Sequence, residues 1–192
     1  GSSGAWELPS IALSADGRFV AFVSHASNLV SGDTNGVADV FVRDRLTGTT
    51  TRVSVASDGT QADQRSRNPV LSADGRFVAF QSLAQNLVPA SSVPAVHSVF
   101  LHDRQSGETT HIAIGRNASL SADGRFVAFE QGLEFEEVAI FVHDRQTSAT
   151  VLVSIASDGT PGNNRSAHPA LSADGRFVTF ISWSTNLVPG DT

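Results

Sequence analysis

The chain has 192 residues, of which 40% are hydrophobic and 17% charged, a composition typical of a folded globular protein and not of a disordered one. The formal net charge is −6, and the 13 basic residues are all Arg and form no patch, so we expect no nucleic-acid partner. The absence of Cys excludes disulfides and thiolate metal sites, and no apolar run has the length of a membrane span, so we expect no membrane insertion.

The first nine residues stand apart from the rest of the chain. They begin Gly1-Ser2-Ser3-Gly4, and the whole sequence contains no Met. We interpret residues 1–9 as a leader, either a cloning remnant or a cut edge, and the fold is predicted from residue 10 onward.

An eight-residue string, Leu-Ser-Ala-Asp-Gly-Arg-Phe-Val, occurs four times. It begins at Leu13, Leu71, Leu120 and Leu171, which gives spacings of 58, 49 and 51 residues. A fixed period of this length is the sequence signature of a repeat architecture. We divide the chain into units 10–60, 61–116, 117–160 and an incomplete 161–192.

Each unit opens with two predicted strands joined by Asp-Gly. The pair supplies the positive φ that a tight hairpin needs, and a residue that recurs in every unit serves the unit and not one catalytic site. We therefore assign a structural turn role to Asp16, Gly17, Asp74, Gly75, Asp123, Gly124, Asp174 and Gly175.

Two further strands complete the unit. The third is apolar and ends in Asp-Arg, at Asp44, Asp103 and Asp144, where a carboxylate can accept turn N–H groups and pair with an Arg. The fourth is rich in Thr. Nothing keeps a helical period over three turns, so no helix is predicted.

The second strand, Phe-Val-Ala-Phe, is apolar on both of its alternating faces, so both faces of its sheet must be covered. Four-stranded sheets stacked radially meet this need, whereas a two-layer sandwich leaves one face polar. We predict an all-β fold, a β-propeller with three full blades and the first half of a fourth.

The Ser-Ala-Asp-Gly-Arg-Phe-Val-Ala-Phe segment, followed by a Val-Phe-Val-Arg-Asp strand, resembles the repeat of the TolB-type, WD-repeat-like propeller family. Ala15, Ala73, Ala122 and Ala173 stand where that family often has Pro. The resemblance covers the chain from Ser10 onward and implies a periplasmic or extracellular bacterial protein. Propellers of this kind serve as protein docks, sugar binders and lids on hydrolases, so the motif indicates fold more than function.

One loop has the composition of part of a calcium site. Asp33, Asn35 and Asp39 place three oxygen-bearing side chains around a Gly, although a terminal bidentate Glu is missing. An Asx-type turn is the alternative. Calcium is the one cofactor that the sequence raises.

The sequence gives little support for a catalytic site or a zinc site. His102 and His143 occupy the position that Arg43 holds in the first unit, which indicates a polar strand position. The other His residues share no ligand spacing, and no Gly-x-Ser-x-Gly elbow is present. We predict that the chain is not an enzyme.

Residues that break the repeat are the better pointers to a partner surface. Trp183 stands where the first unit has His25, after the second strand, and exposed aromatic residues at loop ends are frequent binding anchors. An acidic cluster formed by Glu130, Glu134, Glu136 and Glu137, with Trp6 and Phe135, also breaks the pattern. The alternative for Trp183 is a cap over the core of the last blade.

These observations predict a non-catalytic scaffold that presents loops for protein binding or self-assembly. A carbohydrate-binding propeller is the alternative, followed by an accessory domain of a secreted hydrolase or lyase. Because the fourth unit lacks two strands, its open end and that of the first unit expose apolar blade faces. We expect a homo-oligomer through these ends, most simply a dimer that closes one ring. The alternative is that the chain is a piece of a longer parent chain that contains the remaining blades.

Overall fold

The computed structural model describes residues 10–89, 96–132 and 138–190, and all regular secondary structure in these ranges is β-strand. The first blade comprises β1 (Ile11–Leu13), β2 (Phe19–Ser24), β3 (Asp39–Asp44) and β4 (Thr49–Arg52). The second comprises β5 (Ser66–Leu71), β6 (Phe77–Ser82), β7 (Ser98–Asp103) and β8 (Thr109–Ile114). The third comprises β9 (Arg116–Leu120), β10 (Phe126–Gln131), β11 (Ala139–Asp144) and β12 (Ala149–Leu152). The fourth contains β13 (Ser166–Leu171) and β14 (Val178–Ser182).

The strands form three four-stranded antiparallel sheets and one two-stranded sheet, each with its strands in chain order. The predicted all-β propeller with three blades and half of a fourth is thus confirmed. The first strands β1, β5, β9 and β13 pack against one another, so they are the innermost strands of the fan. No described helix is long and apolar enough to cross a membrane.

The hairpin between the first two strands is built the same way in every blade. In the first blade Ser14 Oγ donates to Asp16 Oδ1 at 2.6 Å, and the Arg18 N–H donates to the same oxygen at 2.9 Å. Gly17 then takes a φ of 68°, and the glycines of the other three hairpins take 70–71°. Such a left-handed backbone favours Gly, which explains the repeated Asp-Gly pair.

An Arg clamps each complete hairpin to the end of the third strand. Arg76 Nε and Nη2 donate to the two carboxylate oxygens of Asp103 at 2.9 and 2.7 Å. The same bidentate pair joins Arg18 to Asp44 and Arg125 to Asp144. The predicted Arg pairing of these carboxylates is therefore present, although its partner is the hairpin Arg and not the Arg that follows each Asp.

The blades pack face to face through small and aromatic side chains. Ala21, Ala79 and Ala128, at matching positions in the second strands, have no exposed surface. Phe residues of the second and third strands stack within a blade, as Phe80 and Phe100 do at 5.9 Å between ring centroids. The apolar character of both faces of the second strand is thus explained by burial between neighbouring blades.

The hairpins and the turns between third and fourth strands lie along one edge of the fan, which we term the hairpin edge. The loops between second and third strands and the connections between blades lie along the opposite edge, the loop edge. Residues 90–95 and 133–137 fall outside the described residues.

Candidate binding surface at the loop edge

The two edges differ in how closely they follow the repeat. On the hairpin edge, the Ser, Asp and Arg side chains make the same contacts from blade to blade. On the loop edge some contacts also repeat, such as the bond from the Asp63 or Asn163 N–H to Asn86 or Asn186 Oδ1, but the residue that follows the second strand differs: His25, Leu83 and Trp183. Because identical groups serve the blade, a site for one specific partner is expected among the groups that differ.

Trp183, which follows β14, is the largest such group. Its side chain is 53% exposed, and the Arg165 guanidinium lies 5.4 Å from the centre of the ring. The backbone N–H of Trp183 donates to the Arg165 carbonyl at 2.9 Å. The Trp is therefore held at its base while much of the ring remains open to solvent.

His25 is exposed at the equivalent position of the first blade, and Leu83 of the second blade is half-buried there. His25 and Trp183 lie on the same edge but on blades that are separated by two others. The remaining predicted partner residues, Glu134, Glu136 and Glu137, lie outside the described residues, as do Phe135 and Trp6.

Glu130 does not belong to a surface acidic cluster, which corrects the sequence-based grouping. Its side chain is fully buried at the end of β10. Oε1 accepts the backbone N–H of His168 at 2.8 Å and Asn117 Nδ2 at 2.9 Å, and Oε2 accepts Arg116 Nε at 3.0 Å. Burial alone would raise the pKa of Glu130, but these three donors hold its pKa below the ordinary value.

A row of polar residues on the innermost strands was not found by sequence reasoning. Asn68, Asn117 and His168 have φ values of 51°, 50° and 56°, and the strands β5, β9 and β13 that carry them shift their register at this point. Asn68 Nδ2, in the second blade, donates to Asn117 Oδ1, in the third blade, at 3.3 Å. Together with Ser10 they line a cavity of about 250 Å³. Because a β-bulge re-aims the side chain, these residues face the inner side of the fan.

A second cavity, of about 410 Å³, lies at the loop edge between the second and third blades. Apolar groups and three titratable side chains line it: Val96, His97, Ile114, Gly115, Arg116, Glu130 and Gly132. Arg67 Nη2 lies 3.0 Å from His97 Nε2. Apolar walls with a few convergent polar groups are typical of small-ligand sites, so this cavity can hold a small polar molecule.

Asp33, Asn35 and Asp39 do come together, as the calcium hypothesis requires. Arg52 Nη1 lies 3.1 Å from Asp33 Oδ1 and 3.7 Å from Asp39 Oδ2. Asn35 Nδ2 donates to Asp39 Oδ2 at 2.8 Å, and Ser54 Oγ donates to Asp39 Oδ1 at 2.6 Å. The guanidinium thus supplies the positive charge beside both carboxylates. Calcium binding here stays a prediction, and the ion would have to displace Arg52.

His102 and His143 occupy the strand position of Arg43. His102 Nδ1 lies 2.8 Å from Thr109 Oγ1, and His143 Nδ1 lies 2.9 Å from Thr150 Oγ1. In the first blade, Arg43 Nη1 donates to Thr50 Oγ1 at 3.1 Å. Burial lowers the pKa of both His residues, so the neutral rings pair with the fourth strand.

Comparison with known proteins supports the fold but does not assign the chain to a family. No family model and no curated protein matches the chain. Among solved structures, TolB from Acinetobacter baumannii is similar at 16% identity and a TM-score of 0.53, over 91% of this chain and 43% of that one. A putative TolB from Agrobacterium tumefaciens is similar at 14% identity and a TM-score of 0.55, over 92% and 59%. The tricorn protease is similar at 16% identity and a TM-score of 0.59, over 91% and 15%.

These likenesses extend along nearly the whole chain, which spans 43% and 59% of the length of the two TolB proteins. Identities of 14–16% establish similarity of architecture and nothing finer. The blades, their strand order and these neighbours together identify the chain as a β-propeller, with TolB-type proteins among its structural neighbours.

Proposed function

We propose that this chain is a non-catalytic propeller scaffold that binds a protein partner through its loop edge. The observation that carries the proposal is the distribution of contacts. The repeated Ser and Asp side chains of the hairpin edge are bonded to each other, and Trp183 and His25, which differ at one equivalent position, are exposed on the loop edge.

Trp183 has the properties of an anchor residue. A half-exposed indole is costly in water and gains apolar contact when a partner covers it. The Arg165 guanidinium against the ring limits its rotation, so less conformational entropy is lost on binding. Trp and Arg are the residue types that most often dominate binding energy in protein interfaces.

The repeated carboxylates are poorly placed for acid–base catalysis. The hydrogen bonds from Arg18, Arg76 and Arg125 hold the pKa of Asp44, Asp103 and Asp144 well below the ordinary value. A general base works best with a pKa near the working pH, and a carboxylate fixed by a bidentate Arg has little proton affinity at neutral pH. Their arrangement supports a structural role.

Binding assays with matched variants test the proposal. The immobilised chain is used to capture proteins from an extract of the source, and each captured protein is purified and titrated against the wild type. A genuine partner should lose at least about tenfold in affinity with Trp183→Ala, since one buried Trp anchor contributes about 2 kcal/mol or more. Leu46→Ala, at an exposed position on the hairpin edge, is the control and should bind as the wild type does. Equal affinity for both variants would contradict a loop-edge interface.

Carbohydrate binding is the second candidate function, and the cavity of about 410 Å³ favours it. The Arg116 guanidinium in its wall can form hydrogen bonds with hydroxyl or carboxylate groups of a sugar. A glycan array separates the two functions, because a lectin that uses this cavity should give a consistent sugar signal that Arg116→Ala reduces. Service as an accessory domain of a hydrolase or lyase is tested by adding the chain to such an enzyme and measuring turnover.

A further inference from the structure

The two ends of the fan carry opposite halves of one contact. We call the outward face of β1 with its hairpin the leading face, and the outward face of β14 with its hairpin the trailing face. Ile11 and Leu13 on the leading face are 60% and 59% exposed, and Phe177 and Ile181 on the trailing face are 63% and 55% exposed. Large apolar residues at this exposure are typical of a surface that another protein covers.

The internal junctions show what covers such a face. At each junction the first Phe of the second strand packs on the hairpin Gly of the following blade: Phe19 on Gly75, Phe77 on Gly124 and Phe126 on Gly175. A side-chain carbon on Gly75 would overlap the Phe19 ring, with only 3.0 Å to the Phe19 Cβ. The Phe ring therefore fills the space that the missing side chain of the Gly leaves, and we call the Phe the plug and the space over the Gly the socket.

A backbone hydrogen bond accompanies each plug. The N–H of Ala15 donates to the Ala73 carbonyl at 2.8 Å, Ala73 donates to Ala122 at 2.8 Å, and Ala122 donates to Ala173 at 2.9 Å. The bond always runs from one blade to the next. Among the described residues, nothing accepts from the Ala173 N–H and nothing donates to the Ala15 carbonyl.

A cation–π contact is the third element of the junction. Arg104 Nη1 donates to the Gly75 carbonyl at 2.7 Å, and its guanidinium lies 4.4 Å from the centre of the Phe19 ring. Arg145 repeats this geometry with Gly124 and, at 4.3 Å, with Phe77. In the first blade Arg45 donates to Gly17 at 2.8 Å in the same way, but no described aromatic ring lies beneath it.

Among the described residues, the leading face thus presents a socket that no Phe fills, and the trailing face presents the Phe. A Cβ on Gly17 would meet only Arg45 Nη1, at 3.7 Å, so the space that a Phe fills at the other junctions is open. Phe177 stands at the position of Phe19, Phe77 and Phe126 and is exposed. β13 and β14 provide the two strands against which the next first strand mainly packs at an internal junction.

We propose that a second copy of this chain covers the trailing face with its leading face. Phe177 then packs on Gly17 and beneath Arg45 of the second copy, and the Ala173 N–H donates to the Ala15 carbonyl of that copy. A head-to-tail contact either closes into a ring or extends as a chain. The proposal concerns the blade ends, so it stands independently of any partner at the loop edge.

One residue departs from the internal pattern. Thr179 stands where the other blades have the buried Ala21, Ala79 and Ala128, and its hydroxyl lies 3.5 Å from the Ala170 carbonyl of its own sheet. The extra atoms stand at the position where the neighbouring blade packs. Thr179→Ala should therefore strengthen the association severalfold.

Engineered cysteines test the contact directly, since the chain has none of its own. Chains with Phe177→Cys and chains with Gly17→Cys are purified separately, mixed and oxidised. The internal pair Phe19→Cys with Gly75→Cys, in one chain, is the matched control for geometry and for strain at a positive φ. We expect a disulfide-linked heterodimer in the mixture, and little dimer from either variant alone, because the contact joins unlike faces. Absence of the heterodimer while the internal control forms its disulfide would overturn the proposal.

The mass in solution provides a second test. Light scattering after size exclusion should show a species larger than the monomer that increases with concentration. Phe177→Asp should weaken this association at least tenfold, whereas Val151→Asp, on the exposed outer strand β12, should leave it unchanged. A monomer at all concentrations, or equal effects of the two variants, would also overturn the proposal.

Discussion

The carboxylate of Glu130 accepts the backbone N–H of His168 at 2.8 Å, so one buried acidic side chain links the third blade to the fourth. The same carboxylate holds Arg116 and Asn117. Glu130→Ala should lower the free energy of unfolding by about 3 kcal/mol, because it removes the acceptor of three hydrogen bonds, from Arg116, Asn117 and the His168 N–H. Urea denaturation measures this loss.

Two variants make the Glu130 test specific. Glu130→Gln should cost less than Glu130→Ala, because Gln81 fills the same position in the second blade and bonds to Asn68 there. Glu108→Ala, at an exposed acidic position, should change stability by less than about 0.5 kcal/mol. If Glu130→Ala were as mild as Glu108→Ala, the carboxylate would not hold the blades together.

Substitutions at two hairpin glycines distinguish the energetic cost of backbone strain from the cost of disturbed blade packing. Gly17→Ala places a side chain at a positive φ, which costs about 1 kcal/mol. Gly75→Ala carries the same strain and also drives a methyl group into Phe19. We therefore expect the free energy of unfolding to fall by about 1–3 kcal/mol more, because of overpacking. Chemical denaturation at low protein concentration gives both values. Equal losses would show that Phe19 moves aside without cost.

The Arg–Asp clamps should make stability depend on acid pH. The pKa of Asp103 is lowered by its bond to Arg76, so the carboxylate contributes stability above the unfolded pKa of about 4 and loses that contribution as pH falls through the folded pKa. The midpoint of thermal unfolding should therefore drop as the pH falls below about 4. Asp103→Asn should be less stable at pH 7, by about 1–2 kcal/mol, and should show a shallower drop in acid. Parallel pH profiles would contradict this assignment.

Calcium binding at Asp33 and Asp39 requires displacement of Arg52. We expect millimolar calcium to leave the unfolding midpoint of the wild type unchanged. In Arg52→Gln the two carboxylates lose their cation, so calcium should raise the midpoint and a chelator should reverse the rise. Differential scanning calorimetry of both proteins decides the matter. A rise in the wild type itself would show that calcium displaces the guanidinium.

Much of the fold can be predicted from the sequence, because the same hairpin and strand motifs occur in all four units. Asp-Gly marks a hairpin through its backbone preference, and Phe-Val-Ala-Phe marks a strand covered on both faces. The residues at which strands begin and end are harder to predict from the sequence. The first strand of the second blade begins at Ser66, three residues ahead of Pro69, because a bulge at Asn68 lets the strand continue through the Pro.

The candidate site is harder to predict, because its residues are brought together by different blades. Glu130 reads as a surface residue, since acidic side chains are seldom fully buried. Its burial depends on Arg116, Asn117 and the His168 N–H, and no local pattern shows that they converge. The sequence also leaves Trp183 open between an anchor and a core cap, and the structure shows this residue 53% exposed beside Arg165.

The plug and socket of each junction have a consequence for how such a protein changes in length. Every blade offers the same Gly to the blade before it and the same Phe to the blade after it. A gene segment that encodes one whole blade can therefore be duplicated or deleted, and each new junction still joins Phe to Gly. Growth of the array requires no simultaneous substitutions, so blade number is free to vary while loop-edge residues diverge to suit different partners.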